Sequence, residues 1–399
     1  MVARESAEDV FMTHARDALP SSAAPAASPG DAAFARVLEL VARRRAEFEE
    51  KRHVPRDVIA AFKEAGLYRA ATPRRFGGEP LPPGRFLRLI ERISAVDASA
   101  GWVASFGSSL GYLAALPPDT QAELYADGPD VVFAAGLFPL QPAEPVTGGY
   151  RIAGRWKFAS GCLGADVLGV GITVGQDRAG RPLTALLRPE QVEIAENWQV
   201  IGMRGTGSHD LVVDGAVVPE EWTFVRGGPP TVDEPLYRYP TVPYAAQVLA
   251  AVGLGVARAA LDQVISEGGR ASYTGGPVAA DRPSYRISVG RSEAQLRSVH
   301  AFFHDITEEV WQAVERGDPA TDRQTGLLRL AAAHAAKTSF EVVRDAYQLA
   351  GIRAIADDSP MQRYLRDASV VPQHAFLQET MYDGAGAVLL DARPFPGFL

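Results

Sequence analysis

Residues 150–174 read YRIAGRWKFASGCLGADVLGVGITV. Two short runs rich in apolar and β-branched residues, YRIAGRWKF and VLGVGITV, are set apart by Gly and Asp punctuation, and DLVVDGAVV (210–218) repeats the character. Such runs predict antiparallel strands, so a central antiparallel β domain is expected over residues 129–228. Where the first run ends, Phe158, Ser160 and Gly161 stand almost side by side, just before the only cysteine, Cys162. Taken alone, Trp156 and Phe158 would be alternate core residues of one sheet face and Ser160-Gly161 a turn.

On either side of this region the period changes to that of helices. An N-terminal α-helical domain is expected over 31–128, broken by the Gly/Pro-rich turn TPRRFGGEPLPPG (72–84). Beyond a Pro- and Tyr-containing linker near 228–243, helical patterns at about 244–268, 283–316, 321–350 and 360–391 predict a C-terminal four-helix bundle over 240–399. The fold class is therefore α+β multidomain, in the order helices, sheet, bundle. Residues 1–30, with PSSAAPAASPG at 20–30, lack a continuous apolar run and are expected to form a disordered leader rather than a signal peptide. The apolar stretch AAQVLAAVGLGVARAALDQV (245–264) contains Arg258 and Asp262, which suits a buried bundle helix better than a membrane span.

Composition narrows the function. With 399 residues, 47% hydrophobic and 22% charged, and a net charge of -8, the chain carries no basic footprint for nucleic acid and no electrostatic reason to bind an anionic membrane. A single cysteine cannot close an internal disulfide, so a reducing cytoplasm is the expected compartment.

Four segments in chain order, TPRRFGGEPL (72–81), YRIAGRWKFASG (150–161), WQVIGMRGTGSHDLVVDGAVVP (198–219) and RDASVVPQH (366–374), resemble the acyl-CoA dehydrogenase superfamily of flavoproteins from about residue 32 to the end. The resemblance implies a flavin ring between the β domain and the bundle, in a homotetramer. It implies Phe158 as the wall of the ring, Ala159 and Ser160 at its N5 edge, and Arg204, Thr206 and Ser208 at its pyrimidine edge. It also implies Arg282, in RPSYR (282–286), as a further cofactor contact.

The departures from the dehydrogenase pattern are equally informative. Counting from Arg366 and Asp367 places Ala375, with His374 beside it, where those dehydrogenases carry a glutamate base; Glu379 would serve only in a shifted alignment. The ADP-binding pattern is eroded at RPSYR and at QLAGIR (348–353), and AAGLFPLQP (134–142) replaces the usual approach to the ring. These changes resemble the reduced-flavin-dependent monooxygenases of the same fold, the oxygenase halves of two-component systems. The resemblance implies reduced FMN or FADH2, O2 as co-substrate, a C4a-hydroperoxyflavin, a separate NAD(P)H:flavin reductase, and hydroxylation or N-oxygenation of a small organic substrate. The alternative is an acyl-CoA dehydrogenase with bound FAD and Glu379 as base.

In the oxygenase reading Ser160 and His374 are the catalytic candidates, the histidine as an imidazole of near-neutral pKa that takes or relays a proton. Trp102 and Phe106, from SAGWVASFGSSLGYLAAL (99–116), join His374 as substrate-binding candidates. His300 and His304, with Glu308 one turn on, could share a helix face, but no second Glu-x-x-His accompanies them and no metal is expected. His209-Asp210 lacks the G-x-S-x-G elbow of a hydrolase, and GLGVAR (253–258) neither follows a strand nor completes G-x-G-x-x-G.

Overall fold

The fold is known from a computed structural model that describes residues 29–175, 182–270 and 275–399. The expected leader lies outside these residues except at its end, where the first helix, α1 (Pro29–Lys51), already starts at Pro29. Then follow α2 (Arg56–Glu64), α3 (Pro83–Val96), α4 (Ala98–Ser105), α5 (Leu110–Leu113) and α6 (Pro118–Leu124). In α3, with Pro83 in its first turn, Phe86, Leu87, Ile90 and Ile93 recur at helical spacing and are buried together. Asp97 ends α3 and caps α4, its carboxylate accepting from the Ala100 N–H at 2.9 Å.

Seven strands form one sheet in the order β5-β6-β2-β1-β3-β4-β7. These are β1 (Phe133–Val146), β2 (Gly149–Ala159), β3 (Val167–Val174), β4 (Leu183–Leu187), β5 (Glu193–Ala195), β6 (His209–Val218) and β7 (Thr223–Val225). The sheet is mostly antiparallel, as expected; only β1 and β3 run parallel among the paired strands of the described residues. The cause is the connection: β2 folds back on one edge of β1, and the chain reverses again through Gly161 and a 3-10 turn (Cys162–Gly164), so that β3 meets the other edge of β1 in its own direction.

After α7 (Pro235–Arg238), three long helices form most of the C-terminal bundle: α8 (Thr241–Glu267), α9 (Pro283–Glu315) and α10 (Asp322–Ala350). The fourth expected helix is broken. It runs as α11 (Pro360–Ala368), then a 3-10 turn at Val371–Gln373, then α12 (Thr380–Leu389). Pro372 has no N–H for a helical ladder and holds the preceding residue out of it, so His374 lies on a loop with extended backbone rather than on a helix.

Helix α8 is long and apolar enough to span a membrane by composition, but 78% of its most apolar window is buried inside the protein. It is apolar on every side because neighbours surround it. At Gly255 a Cβ would fall 2.2 Å from the Glu91 carbonyl of α3, so its glycine permits helix contact rather than cofactor binding. One continuous core joins both helical regions, from Phe48, Phe62 and Phe86 to Leu254, Phe303 and Val343. The sheet keeps a core of its own around Ile152, Trp156, Leu168 and Leu211.

Candidate active site

Strand β2 does not keep its alternation to the end. Trp156 is fully buried, its indole N–H donating to the Gly171 carbonyl at 2.7 Å, and two residues on Phe158 should share that face. Instead the β2–β6 register shifts between Trp156 and Ala159, Phe158 takes a left-handed φ of 63°, and its ring is 67% exposed while Ala159 enters the core. A left-handed aromatic residue costs on the order of 1 kcal/mol or more, and its ring meets that of Trp198 edge to face, centroids 6.3 Å apart. The reading of Phe158 as an ordinary core residue therefore fails, and a flat apolar surface is presented at the strand end.

Beside it runs a chain of hydroxyls. Ser160 Oγ and Ser208 Oγ are 2.6 Å apart, Ser208 Oγ and Thr206 Oγ1 are 2.7 Å apart, and Thr206 donates on to the Met203 carbonyl at 2.9 Å. The Gly161 N–H donates to the Thr206 carbonyl at 2.7 Å, which fastens the two segments together. The guanidinium of Arg204 lies 3.8 Å from Glu49, and its Nε is buried without a hydrogen-bond partner. An exposed ring held in a strained backbone, three linked hydroxyls and an orphaned arginine nitrogen fit a planar group with a polar edge, as a flavin has.

The loop between β5 and β6 is held from outside the sheet. The Gly205 N–H donates to Ser99 Oγ of α4 at 3.1 Å, and the Met203 N–H, in a left-handed conformation, donates to Asp367 of α11 at 2.6 Å. Burial, reinforced by the nearby Asp97, raises the Asp367 carboxyl to about 7. A carboxyl raised in the folded state holds a proton that the unfolded chain has released, so its contribution to stability is lost as pH rises from its ordinary 3.8 through about 7. Asp367→Asn keeps the acceptor for Met203 and removes this titration. Relative to wild type, its thermal midpoint is expected to rise progressively between about pH 4 and pH 7 and to level off above, as calorimetry at each pH will show; a constant difference would refute the assignment.

Helix α4 brings the substrate candidates to the same place. A Cβ on Gly161 would contact Val103 at 3.6 Å and Phe106 at 3.7 Å, so Phe106 stands against the strand end that carries Ser160. Trp102 meets His374 edge to face at 5.9 Å, and His374 meets Phe376 at 5.1 Å. The structure thus gathers Phe158, Ala159, Ser160, Arg204, Thr206 and Ser208 on one side, and Trp102, Phe106 and His374 on the other, with α4 touching both. Arg282 stands apart: it is exposed at the N-cap of α9 and has no described contact with these residues.

His374 departs from its expected chemistry. Its Nδ1 accepts from the Phe376 N–H at 3.2 Å, so the neutral ring carries its proton on Nε2. Burial, and then the nearby Arg226, lower its pKa to about 4. The near-neutral base expected from sequence is corrected to a neutral imidazole that donates through Nε2. The dehydrogenase alternative loses its base as well, since the Glu379 side chain is 85% exposed and pairs with Lys337 at 3.4 Å. His209 Nδ1 accepts from the Trp198 N–H and Asp210 pairs with Arg155, both structural roles.

Sequence reasoning also missed Glu91. His300 and His304 meet not Glu308 but this residue of α3, at 3.0 and 2.7 Å. Burial alone would raise Glu91, but hydrogen bonds from the two rings hold it at about 2. Helical spacing showed the two histidines on one face; nothing local could point to an acid on another helix.

Comparison with known proteins gives a consistent picture. Residues 31–126 match the family described as acyl-CoA dehydrogenase, N-terminal domain, and 247–379 that described as acyl-CoA dehydrogenase, C-terminal domain. The chain is 50% identical over 388 residues to indole-3-acetate monooxygenase of Pseudomonas putida, covering 96% of this chain and 100% of that one. It is 30% identical over 367 residues to the oxygenase component of the FADH(2)-dependent resorcinol hydroxylase of Rhizobium sp. (strain MTP-10005), covering 86% and 88%. In fold it is similar to the HsaA monooxygenase from M. tuberculosis, with a TM-score of 0.86 and 24% identity over 94% of this chain and 100% of that one.

Proposed function

The chain belongs to the acyl-CoA dehydrogenase superfamily, in its group of two-component flavin-dependent monooxygenases, and from that premise we propose that it hydroxylates an electron-rich aromatic ring bearing a short carboxylate side chain, as indole-3-acetate does. As an oxygenase component it uses reduced flavin, FADH2 or FMN, made by a separate reductase. When bound, that flavin supplies two electrons and activates O2, so that one oxygen atom enters the substrate as hydroxyl and the other leaves as water.

The chain's own residues have narrower tasks. Phe158 backs the flavin ring. Ser160, supported by Ser208 and Thr206, holds a hydroxyl at its edge, and Arg204 offers its free Nε. Trp102, Phe106 and Phe376 form an apolar wall that keeps water from the reacting atoms. His374 donates from Nε2 toward the substrate. The 50% identity to the Pseudomonas putida relative along its whole length carries the substrate reading, and the resorcinol hydroxylase relative favours hydroxylation over N-oxygenation. A homotetramer suits the chain too, because Ile352 and Ile355 are 69% and 61% exposed on one 3-10 turn. A cytoplasmic location remains part of the same reading.

The test supplies the purified protein with NADH, a flavin reductase, labelled O2 and indole-3-acetate, and follows products by mass spectrometry. A product carrying one labelled oxygen is expected. If indole-3-acetate yields only H2O2 while resorcinol is oxygenated, the substrate class is wrong although the oxygenase is intact.

A further inference from the structure

We propose that Arg226, at the end of the row of rings formed by Phe376, His374 and Trp102, is the residue that recognises the substrate's carboxylate. The inference rests on the arylacetate reading above and assigns the one part of such a substrate that the aromatic wall cannot bind.

Arg226 follows β7 directly. Its guanidinium carbon lies 5.1 Å from the ring centre of Phe376 and 5.9 Å from that of Tyr112. Phe376 in turn touches His374, and His374 touches Trp102, so the cation stands at the end of one continuous row of rings. Among the described residues Arg226 forms neither an ion pair nor a hydrogen bond, and aromatic faces are its recorded contacts. Arg226 is half-buried, and the rings that attract its guanidinium supply no counter-charge.

Arg329, on α10, is enclosed elsewhere. It is 4% exposed, lies over the Phe398 ring at 5.1 Å, and donates to the Gly397 carbonyl at 3.1 Å and the Met381 sulfur at 3.8 Å. No carboxylate pairs with it among the described residues. Burial, with Arg226 nearby, lowers its pKa to about 10, and Arg226 also helps to depress His374. Arg226, whose guanidinium lies over Phe376 and Tyr112, is therefore the cation that stands at the row of rings. A flat ring with an anionic group one carbon away complements both features: the ring lies along Trp102 and Phe376, and the carboxylate takes two parallel hydrogen bonds from the Arg226 fork.

The probes are indole-3-acetate and its uncharged isostere indole-3-acetamide, with binding measured by anaerobic equilibrium dialysis in the presence and absence of reduced FMN. Wild type is expected to prefer the acid by roughly 30-fold, as for a charge-assisted contact. Arg226→Gln should abolish that preference, weakening the acid by about the same factor and leaving the amide within about twofold. Arg226→Lys, which keeps the charge and loses the fork, should fall between, and matching thermal midpoints will show that the variants fold. If wild type binds acid and amide equally, the anchor is overturned while the ring reading stands. Equal weakening of both ligands by Arg226→Gln makes the residue structural and overturns the proposal, and if wild type binds neither, the substrate reading and the anchor fall together.

Discussion

In the His374→Ala protein, NADH oxidation through the reductase continues, but hydroxylated product per NADH falls by about 10- to 100-fold and H2O2 takes its place. Two losses combine in this result. The imidazole is a wall element between Trp102 and Phe376, and its removal opens a water-sized gap on the substrate side. It is also a fixed donor, because the Phe376 N–H occupies Nδ1 and leaves the proton on Nε2. His374→Gln restores a side-chain N–H and part of the volume, so it should recover part of the coupling. A merely structural histidine would give equal losses in both variants.

The pH profile separates this account from general-base catalysis. With a pKa of about 4 the ring is neutral through the working range, so the ratio of wild-type to variant coupling should stay flat from about pH 5.5 to 8.5. A base titrating near the ordinary 6.5 would make that ratio collapse on the acid side and would restore the role expected from sequence. Stability carries the same sign. Between about 4 and 6.5 the unfolded chain takes up a proton that the folded ring refuses, so the wild type loses stability as pH falls through this window, and His374→Ala should lose less.

What the sequence made legible was local or repeated. Phe158, Ser160 and Thr206 could be singled out as candidates because four short segments recur in one order along the chain, and Trp102 and Phe106 because they stand four residues apart. Even there, the bulge that turns Phe158 outward depends on the pairing of β2 with β6 and could not be read from alternation. The break before His374 was written in Pro372, but four apparent helices of a bundle outweighed one proline. Arg226, Glu91 and the bond from Met203 to Asp367 were invisible for a different reason: their contacts are with groups far away in sequence. An arginine without an ion pair looks like any other arginine until the fold shows that no carboxylate among the described residues pairs with it.

Gly202→Ala is expected to be the most damaging single-methyl change at the flavin face. A Cβ there would lie 2.1 Å from the Arg366 carbonyl oxygen and 2.5 Å from its carbon, and a backbone obstacle cannot swing aside as a long side chain can. The loop must move off α11, which breaks the bond from the Met203 N–H to Asp367 and frees the Arg366 contact with the Ile201 carbonyl. Overpacking and a lost hydrogen bond to a buried carboxyl together amount to about 2–4 kcal/mol, to be read from urea denaturation. Because Arg204, Thr206 and Ser208 ride on the same loop, reduced-flavin affinity should fall by at least roughly tenfold in the molecules that remain folded. Gly290→Ala is the control: it lies exposed in α9 with nothing within 4 Å of its Cβ, so helix propensity should make that variant about 0.5–1 kcal/mol more stable with flavin binding unchanged. Should Gly202→Ala lose stability yet bind reduced flavin normally, the β5–β6 loop would be a clamp on α11 and not part of the cofactor site, and the roles given to Arg204, Thr206 and Ser208 would fall with it.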